Sequence, residues 1–212
     1  MHAEITLQDV VGNSIYNTVV NKQLRKNLEL GSWSGEGSTN CFVQAMQELG
    51  GDLHIDCVEI IPDKFLHLQK MYEHLDFVHC HNKSSISYDE LLYKDFEDVW
   101  NSPYNKIPKH VHPKELVKSW YDRDVECIKE ADSMNLGALS SYDSVFLDGS
   151  EFTGYSEFVL IRDKARVIFI DDVHQAFKCF QIYDELIKSD QWVCLTDAPN
   201  WRNGFAVFEK KI

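Results

Sequence analysis

Short apolar runs alternate, along most of this 212-residue chain, with stretches whose apolar positions recur every three or four residues. Ile15, Val19, Val20 and Leu24 predict a first helix over 13–26. A short strand around 27–30 follows, then a glycine-rich turn, Gly31-Ser32-Trp33-Ser34-Gly35-Glu36-Gly37-Ser38-Thr39. Phe42, Ala45, Met46 and Leu49 fall at i, i+3, i+4 and i+7 and predict a second helix, ended by Gly50-Gly51. A strand over 53–60 with Glu59 near its end, a helix over 62–74 that starts on proline, and a strand over 77–81 come next. Residues 83–140 interrupt this rhythm with three of the five prolines and the aromatics Tyr88, Tyr93, Phe96, Trp100, Tyr104, Trp120 and Tyr121. A helix over 113–132 is predicted there, and the part before it reads as an irregular insertion or lid, a kind of segment that is functional more often than not. The rhythm resumes with a strand over 144–147 ending at Asp148-Gly149, a short helix or loop over 152–162, and a strand over 166–170 ending at Asp171-Asp172. A helix over 175–189 and two apolar runs, 192–195 and 204–209, close the chain, the runs being spaced for an antiparallel hairpin. Alternation of this kind predicts an α/β domain built on a largely parallel sheet.

Composition narrows the partners. Thirty-four acidic against 21 basic side chains leave a formal charge of −13, which disfavours a phosphate backbone, so nucleic acid is not an expected partner. The longest apolar run is four residues, too short to span a bilayer. Met1-His2-Ala3-Glu4 carries no basic and apolar leader pattern, so no signal peptide is expected. The six cysteines form no CxxC pair, and several sit in apolar runs as small hydrophobes; a reducing, cytoplasmic setting is the simplest expectation.

Two groups of residues can carry chemistry. A strand, a tight glycine turn and a helix N-terminus make room for close approach of a ligand, but Gly31-x3-Gly35-x-Gly37 is neither the GxGxxG of a dinucleotide site nor a GxxxxGK[ST] loop. With Glu59 placed to accept the hydroxyls of a ribose, a nucleoside-type cofactor without a pyrophosphate fits better than NAD. The plainer alternative is a structural turn and a solvated strand-end charge. Asp148, Asp171 and Asp172 stand at strand ends, the edge where open α/β sheets bind ligands. Together they would hold Mg²⁺, Ca²⁺ or Mn²⁺ by hard oxygen ligation, or one would act as a general base; alternatively Asp148-Gly149 makes a turn and Asp171 or Asp172 caps the next helix. His174, two residues beyond Asp172, is a further candidate base, while His79 and His81 read as partly buried, hydrogen-bonded side chains. No HxxxH or HExxH spacing and no GxSxG elbow is present.

The motifs taken in order resemble the class I S-adenosylmethionine-dependent methyltransferases. Leu28-Glu29-Leu30-Gly31-Ser32-x-x-Gly35-x-Gly37-Ser38-Thr39 is similar to that family's first motif and Val58-Glu59 to its second. The run from Tyr142 to Gly149 resembles the fourth strand, Val167 to Asp172 the fifth, and Arg202 to Phe208 the reversed last strand. The resemblance covers most of the chain outside 85–140. It implies a Rossmann-like, doubly wound seven-stranded sheet, mostly parallel with an antiparallel last strand, with 83–140 as a lid-like insertion between strands three and four of a single domain spanning 1–212. It also implies S-adenosylmethionine as cofactor, held by Glu29, Gly31, Ser32, Gly35, Gly37, Ser38, Thr39, Glu59, Asn82 and Asp148. Within the family, the Asp-Gly and Asp-Asp pairs resemble sugar O-methyltransferases, implying Asp148, Asp171 and Asp172 as ligands of a Mg or Mn ion that orients an acceptor hydroxyl.

The catalytic expectation rests on Asp148, Asp172 and His174. The stretch Asp148-Gly149-Ser150-Glu151-Phe152-Thr153-Gly154-Tyr155-Ser156-Glu157-Phe158 resembles methyltransferases found beside glycosyltransferases in glycan-building systems. The implied acceptor is a sugar in a glycan, for instance a deoxysugar such as rhamnose, and the implied setting a homo-oligomer or a larger viral glycan-synthesis polypeptide of the chlorella-virus kind. Two departures stand out. Arg162-Asp163-Lys164-Ala165 replaces the usual Pro-Gly-Gly turn, and Asn82-Lys83-Ser84 replaces the acidic residue often found after strand three. Ser150 stands where related sugar enzymes often carry a second acid, which shifts weight to His174 or a histidine of the insertion such as His110 or His112. Competing classes are a metal-independent O-methyltransferase, a NAD-type oxidoreductase and a non-catalytic methyltransferase-like binding module.

Overall fold

A computed structural model describes residues 4–211; Met1-His2-Ala3, part of the stretch read for a leader, and Ile212 lie outside the described residues. Among the described residues seven strands form one sheet: β1 (Lys26–Leu30), β2 (His54–Val58), β3 (Val78–His81), β4 (Tyr142–Leu147), β5 (Ala165–Asp171), β6 (Trp192–Ala198) and β7 (Phe205–Lys210). Their spatial order is β3-β2-β1-β4-β5-β7-β6. Only β7 runs against its neighbours, slotted between β5 and β6, so the expected mostly parallel sheet with a reversed last strand is what forms. The order reverses between β1 and β4, which opens a crevice beyond their carboxyl ends.

The helices are α1 (Val10–Lys22), α2 (Ser38–Leu49), α3 (Pro62–Tyr72), α4 (Phe96–Asn101), α5 (Lys114–Glu130), α6 (Gly154–Ile161) and α7 (Phe180–Lys188). Because side chains alternate along a strand, β5 sends Val167 and Phe169 to one face and Ile168 and Ile170 to the other. The first face packs on α1, α2 and α3, with Phe42 edge-on to Phe169 at 5.3 Å between ring centroids. The second packs on α6 and α7 through Phe158, Ile161, Ile182 and Leu186. Among the described residues no helix is long and apolar enough to cross a membrane. All six cysteines are unpaired thiols.

Two expectations are corrected. The first helix starts earlier than 13, because the Asp9 side chain caps it by accepting from the Gly12 amide, and it ends earlier than 26, at left-handed Gln23. The helix predicted from 175 starts only at Phe180; Gln175 is itself left-handed, and 173–179 form a non-helical segment that passes the carboxyl edge of the sheet. Before α5 the insertion is largely irregular, as expected, except for the six-residue α4, which was not predicted. Helices α4 and α5 bury Phe96, Val99, Ile107, Val117 and Tyr121 in a core of their own, which closes against Phe152 and Phe177 of the main domain.

On the second face, beside edge strand β3, Asp56 accepts from Tyr142 Oη at 2.8 Å and bonds the Nε2 atoms of His54 and His81, each at 2.7 Å. Burial opposes ionisation of Asp56, but bonds from His81, His54 and Tyr142 outweigh it and hold the carboxyl well below the usual range. A depressed folded pKa contributes stability above the unfolded value, lost as pH falls toward the folded one. Asp56→Ala strands the buried Tyr142 hydroxyl and is expected to cost about 2–3 kcal/mol at neutral pH. Urea titrations should show the gap between variant and parent narrowing below about pH 4.

Candidate functional site

The ends of β1 and β4 meet so closely that only glycine fits. Gly31 takes φ +90°, and a Cβ there would lie 2.3 Å from the Asp148 carbonyl oxygen. The turn after it is held from two sides: Tyr72 donates to the Gly35 carbonyl at 2.6 Å, and Glu59 accepts from the Trp33 amide at 2.8 Å. Glu59 also accepts from Ile61 at 2.8 Å, so one carboxylate ties the glycine turn to the end of β2. Burial raises its pKa against these two amides. Helix α2 then begins at Ser38 with no side-chain cap, leaving its first amides to the crevice.

The result is a cavity of about 820 Å³. Gly31, Ser32, Gly35, Gly37, Ser38 and Glu59 line one wall. Glu29, Thr39 and Asn82 stand behind it. Glu29 is fully buried and accepts from Ser38 Oγ at 2.6 Å and Thr39 Oγ1 at 2.5 Å, locking α2 to β1. Burial pushes its carboxyl up to about 7 against the hydroxyls that favour the ion. Asn82 donates to the Glu59 and Ile60 carbonyls at 2.9 and 3.1 Å, fixing the chain after β2.

The opposite wall carries the acids. Asp148, Asp171 and Asp172 converge, each offering an oxygen within 4.8 Å of the others. Neither Asp171 nor Asp172 caps α7, whose N-cap is Cys179. Asp148 and Asp172 line the cavity; Asp171 lies beneath, 1% exposed, with Oδ1 lacking a partner. Asp172 adopts φ +54°, a left-handed turn that lets consecutive aspartates act at one place. Lys178 was not singled out from the sequence. Its Nζ lies 2.7 Å from Asp148 Oδ1 and 2.8 Å from Asp172 Oδ2. Burial raises the pKa of Asp172, but Lys178, Asn203 and Arg202 outweigh it and hold the carboxyl low; Asp171, buried beside two other acids, is pushed up.

Glu151 lines the same wall, and burial, against the Phe177 amide and Lys178, pushes its carboxyl up to about 7. The flanking residues Phe152 and Phe177 belong to the core shared with α4 and α5, so the insertion seats Glu151 and Lys178. Glu157 also reaches the cavity, bonded by Thr153 and Ser85. The sequence signals were there: an acid directly after the noted Ser150, and a lone lysine in Phe177-Lys178-Cys179-Phe180.

His174 is not brought to this cavity. After left-handed Asp172 its ring packs on Tyr183 and Phe180, 5.3 and 6.2 Å between centroids, and against Gly204. Among the insertion aromatics named above, only Trp120 lines the cavity, with the His112 ring 5.1 Å from it; Phe96 and Tyr121 are core. Trp33, 49% exposed, stands on the glycine-turn side.

No family model matches the chain, and no curated protein does. Solved structures do. A methyltransferase from Geobacter sulfurreducens superposes with TM-score 0.61 at 12% identity, over 98% of this chain and 81% of that one. The O-methyltransferase from Bacillus cereus in complex with SAH gives 0.61 at 12%, over 99% and 84%. TomG from Streptomyces achromogenes, an O-methyltransferase of tomaymycin synthesis in complex with SAM, gives 0.58 at 12%, over 95% and 79%. The fold is that of the class I methyltransferases. It accounts for the reversed β7 and for a crevice at the β1–β4 switch.

Glu29 provides a direct check on this wall. Its folded pKa lies above the unfolded value, so the native state holds that proton more tightly, and stability declines as pH rises from about 4.5 toward 8. Glu29→Gln keeps the shape and removes the charge. Thermal unfolding across that range should show a flatter profile for the variant, its advantage growing between about pH 4.5 and 7 and levelling off above that.

Proposed function

We propose that this chain is an S-adenosylmethionine-dependent O-methyltransferase acting on a sugar hydroxyl. The observation that carries the proposal is one cavity that joins the glycine turn and Glu59 to the Asp148–Asp172–Glu151 wall. The residues on the first wall fit the cofactor. Gly31, Ser32, Gly35 and Gly37 present backbone to the cavity, and the uncapped start of α2 suits a carboxylate. Each Glu59 oxygen has lone pairs beyond its one amide bond and can accept ribose hydroxyls. When bound, S-adenosylmethionine supplies an electrophilic methyl group for an oxygen nucleophile.

The remaining work falls to the opposite wall. Glu151, with a carboxyl pushed up to about 7 and facing Lys178 and Asp172, is suited to take the acceptor's hydroxyl proton at neutral pH. It replaces His174 in that role. Trp33 and Trp120 offer apolar faces to a sugar ring, and Asp148 and Asp172 offer acceptors to its hydroxyls. Holding acceptor and cofactor together accounts for much of the rate, as positioning does generally.

The acidic wall was also expected to bind Mg²⁺ or Mn²⁺. Three hard oxygens within 4.8 Å and the orphaned Asp171 Oδ1 suit a divalent ion. Yet two of the three aspartates are already bonded to an ammonium, and a dication about 4 Å from it would meet repulsion of about 8 kcal/mol at an effective dielectric of about 20. With Lys178 seated there the residues do not fit a resident ion, and no step is routed through one.

Calorimetry with S-adenosylhomocysteine should give one site per chain with micromolar affinity, weakened at least tenfold in Glu59→Ala, while NAD gives no heat; the reverse pattern would sink the cofactor assignment. With an alkyl rhamnoside as acceptor, Glu151→Gln should lower kcat by about 10²–10³ with little change in KM. The parent's kcat should fall tenfold per pH unit below about 7, where Glu151 is protonated, and the variant should lose that limb.

A further inference from the structure

We propose that the Lys178 ammonium is the resident cation of the acidic cluster and excludes a divalent ion from Asp148 and Asp172. Lys178 Nζ already holds one oxygen of each of two of the three clustered carboxylates, Asp148 Oδ1 at 2.7 Å and Asp172 Oδ2 at 2.8 Å. Lys178 is 9% exposed, and its other close ionic partners among the described residues are none. Its backbone is wedged in place: a Cβ on Gly154, at the start of α6, would lie 2.4 Å from the Lys178 carbonyl oxygen, and neighbouring Phe177 is clamped in the insertion's core. The aspartates are equally fixed, Asp172 by its left-handed turn and by Asn203 Nδ2 at 3.0 Å, Asp148 by the backbone contact with Gly31.

Arg202 reaches the cluster less closely: its Nη1 lies 3.7 Å from Asp171 Oδ2 while its Nη2 pairs with Glu4 at 2.6 Å, so Lys178 is the cation in direct contact with Asp148 and Asp172. An ammonium has three N–H donors, and the aspartates take two. The third is then available to an acceptor hydroxyl oxygen, which it would orient and polarise as a metal would; this last clause rests on the methyl-transfer assignment, whereas exclusion of the ion does not.

The test is a Mn²⁺ titration of the purified protein followed by the electron paramagnetic resonance signal of free Mn²⁺, with no methyl donor or acceptor present. The parent is expected to leave the signal unchanged to millimolar ion. Lys178→Met, which keeps the chain length and removes the charge, is expected to take up one Mn²⁺ per chain at least tenfold more tightly, and adding Asp172→Asn should abolish that uptake. Stoichiometric uptake by the parent that is lost in Asp148→Asn overturns the proposal. So does a folded Lys178→Met that gains no affinity; if that variant does not fold, Lys178→Gln is read in the same way. Failure here leaves S-adenosylhomocysteine binding untouched, and failure of that binding leaves this result readable.

Discussion

The backbone of β1 and that of β4 touch at Gly31 and Asp148 with no space for a side chain between them. Parallel strands that part company at a topological switch normally leave a crevice; here the contact brings its two walls to one point. The glycine turn leaves from one side of it and Asp148 from the other, so a ligand bound against the turn sits beside the acids. Tyr72 and Glu59 then stiffen the turn through backbone bonds, and Asn82 holds the chain that carries Glu59. Such bonds spread over several elements are what keep a site from relaxing when a charged ligand enters.

The insertion contributes from the other direction. Its helices carry a small apolar core whose boundary residues, Phe152 and Phe177, adjoin Glu151 and Lys178. The Phe177 amide donates to Glu151, so the proposed base and the ammonium are tied to one strut. Two charged side chains are thus placed by apolar packing, which is stiffer than a pair of flexible chains placed by each other's charge. The cost is visible in the raised pKa of Glu151 and Asp171, both dominated by burial.

Much of the fold was legible because strand ends announce themselves. Asp148-Gly149, Asp171-Asp172 and Glu59 each mark the carboxyl end of a strand, and five motifs in order imply the seven-stranded architecture. What was hidden was side-chain direction. His174 lies two residues from Asp172, yet the left-handed turn at Asp172 sends it to Tyr183. Lys178 was covered by a helix predicted from 175, when that segment is non-helical. The rings of the insertion are undirected in the same way: their spacing along the chain does not say whether they face a ligand or a private core.

The central pairing of the sheet joins distant stretches of chain. Ser144 of β4 bonds Asn27 of β1 across 117 positions of sequence, and the crevice does not exist until that pair has formed. Residues emerge from the ribosome in order, so β1, the glycine turn and β2 must wait, with an unpaired strand edge, for the whole insertion to be made. Lys178 arrives later still, and β7, which covers β5, comes last of all. The nascent chain therefore holds an incomplete sheet while the insertion is made, and the insertion's own core waits in turn for Phe152 and Phe177 to close it.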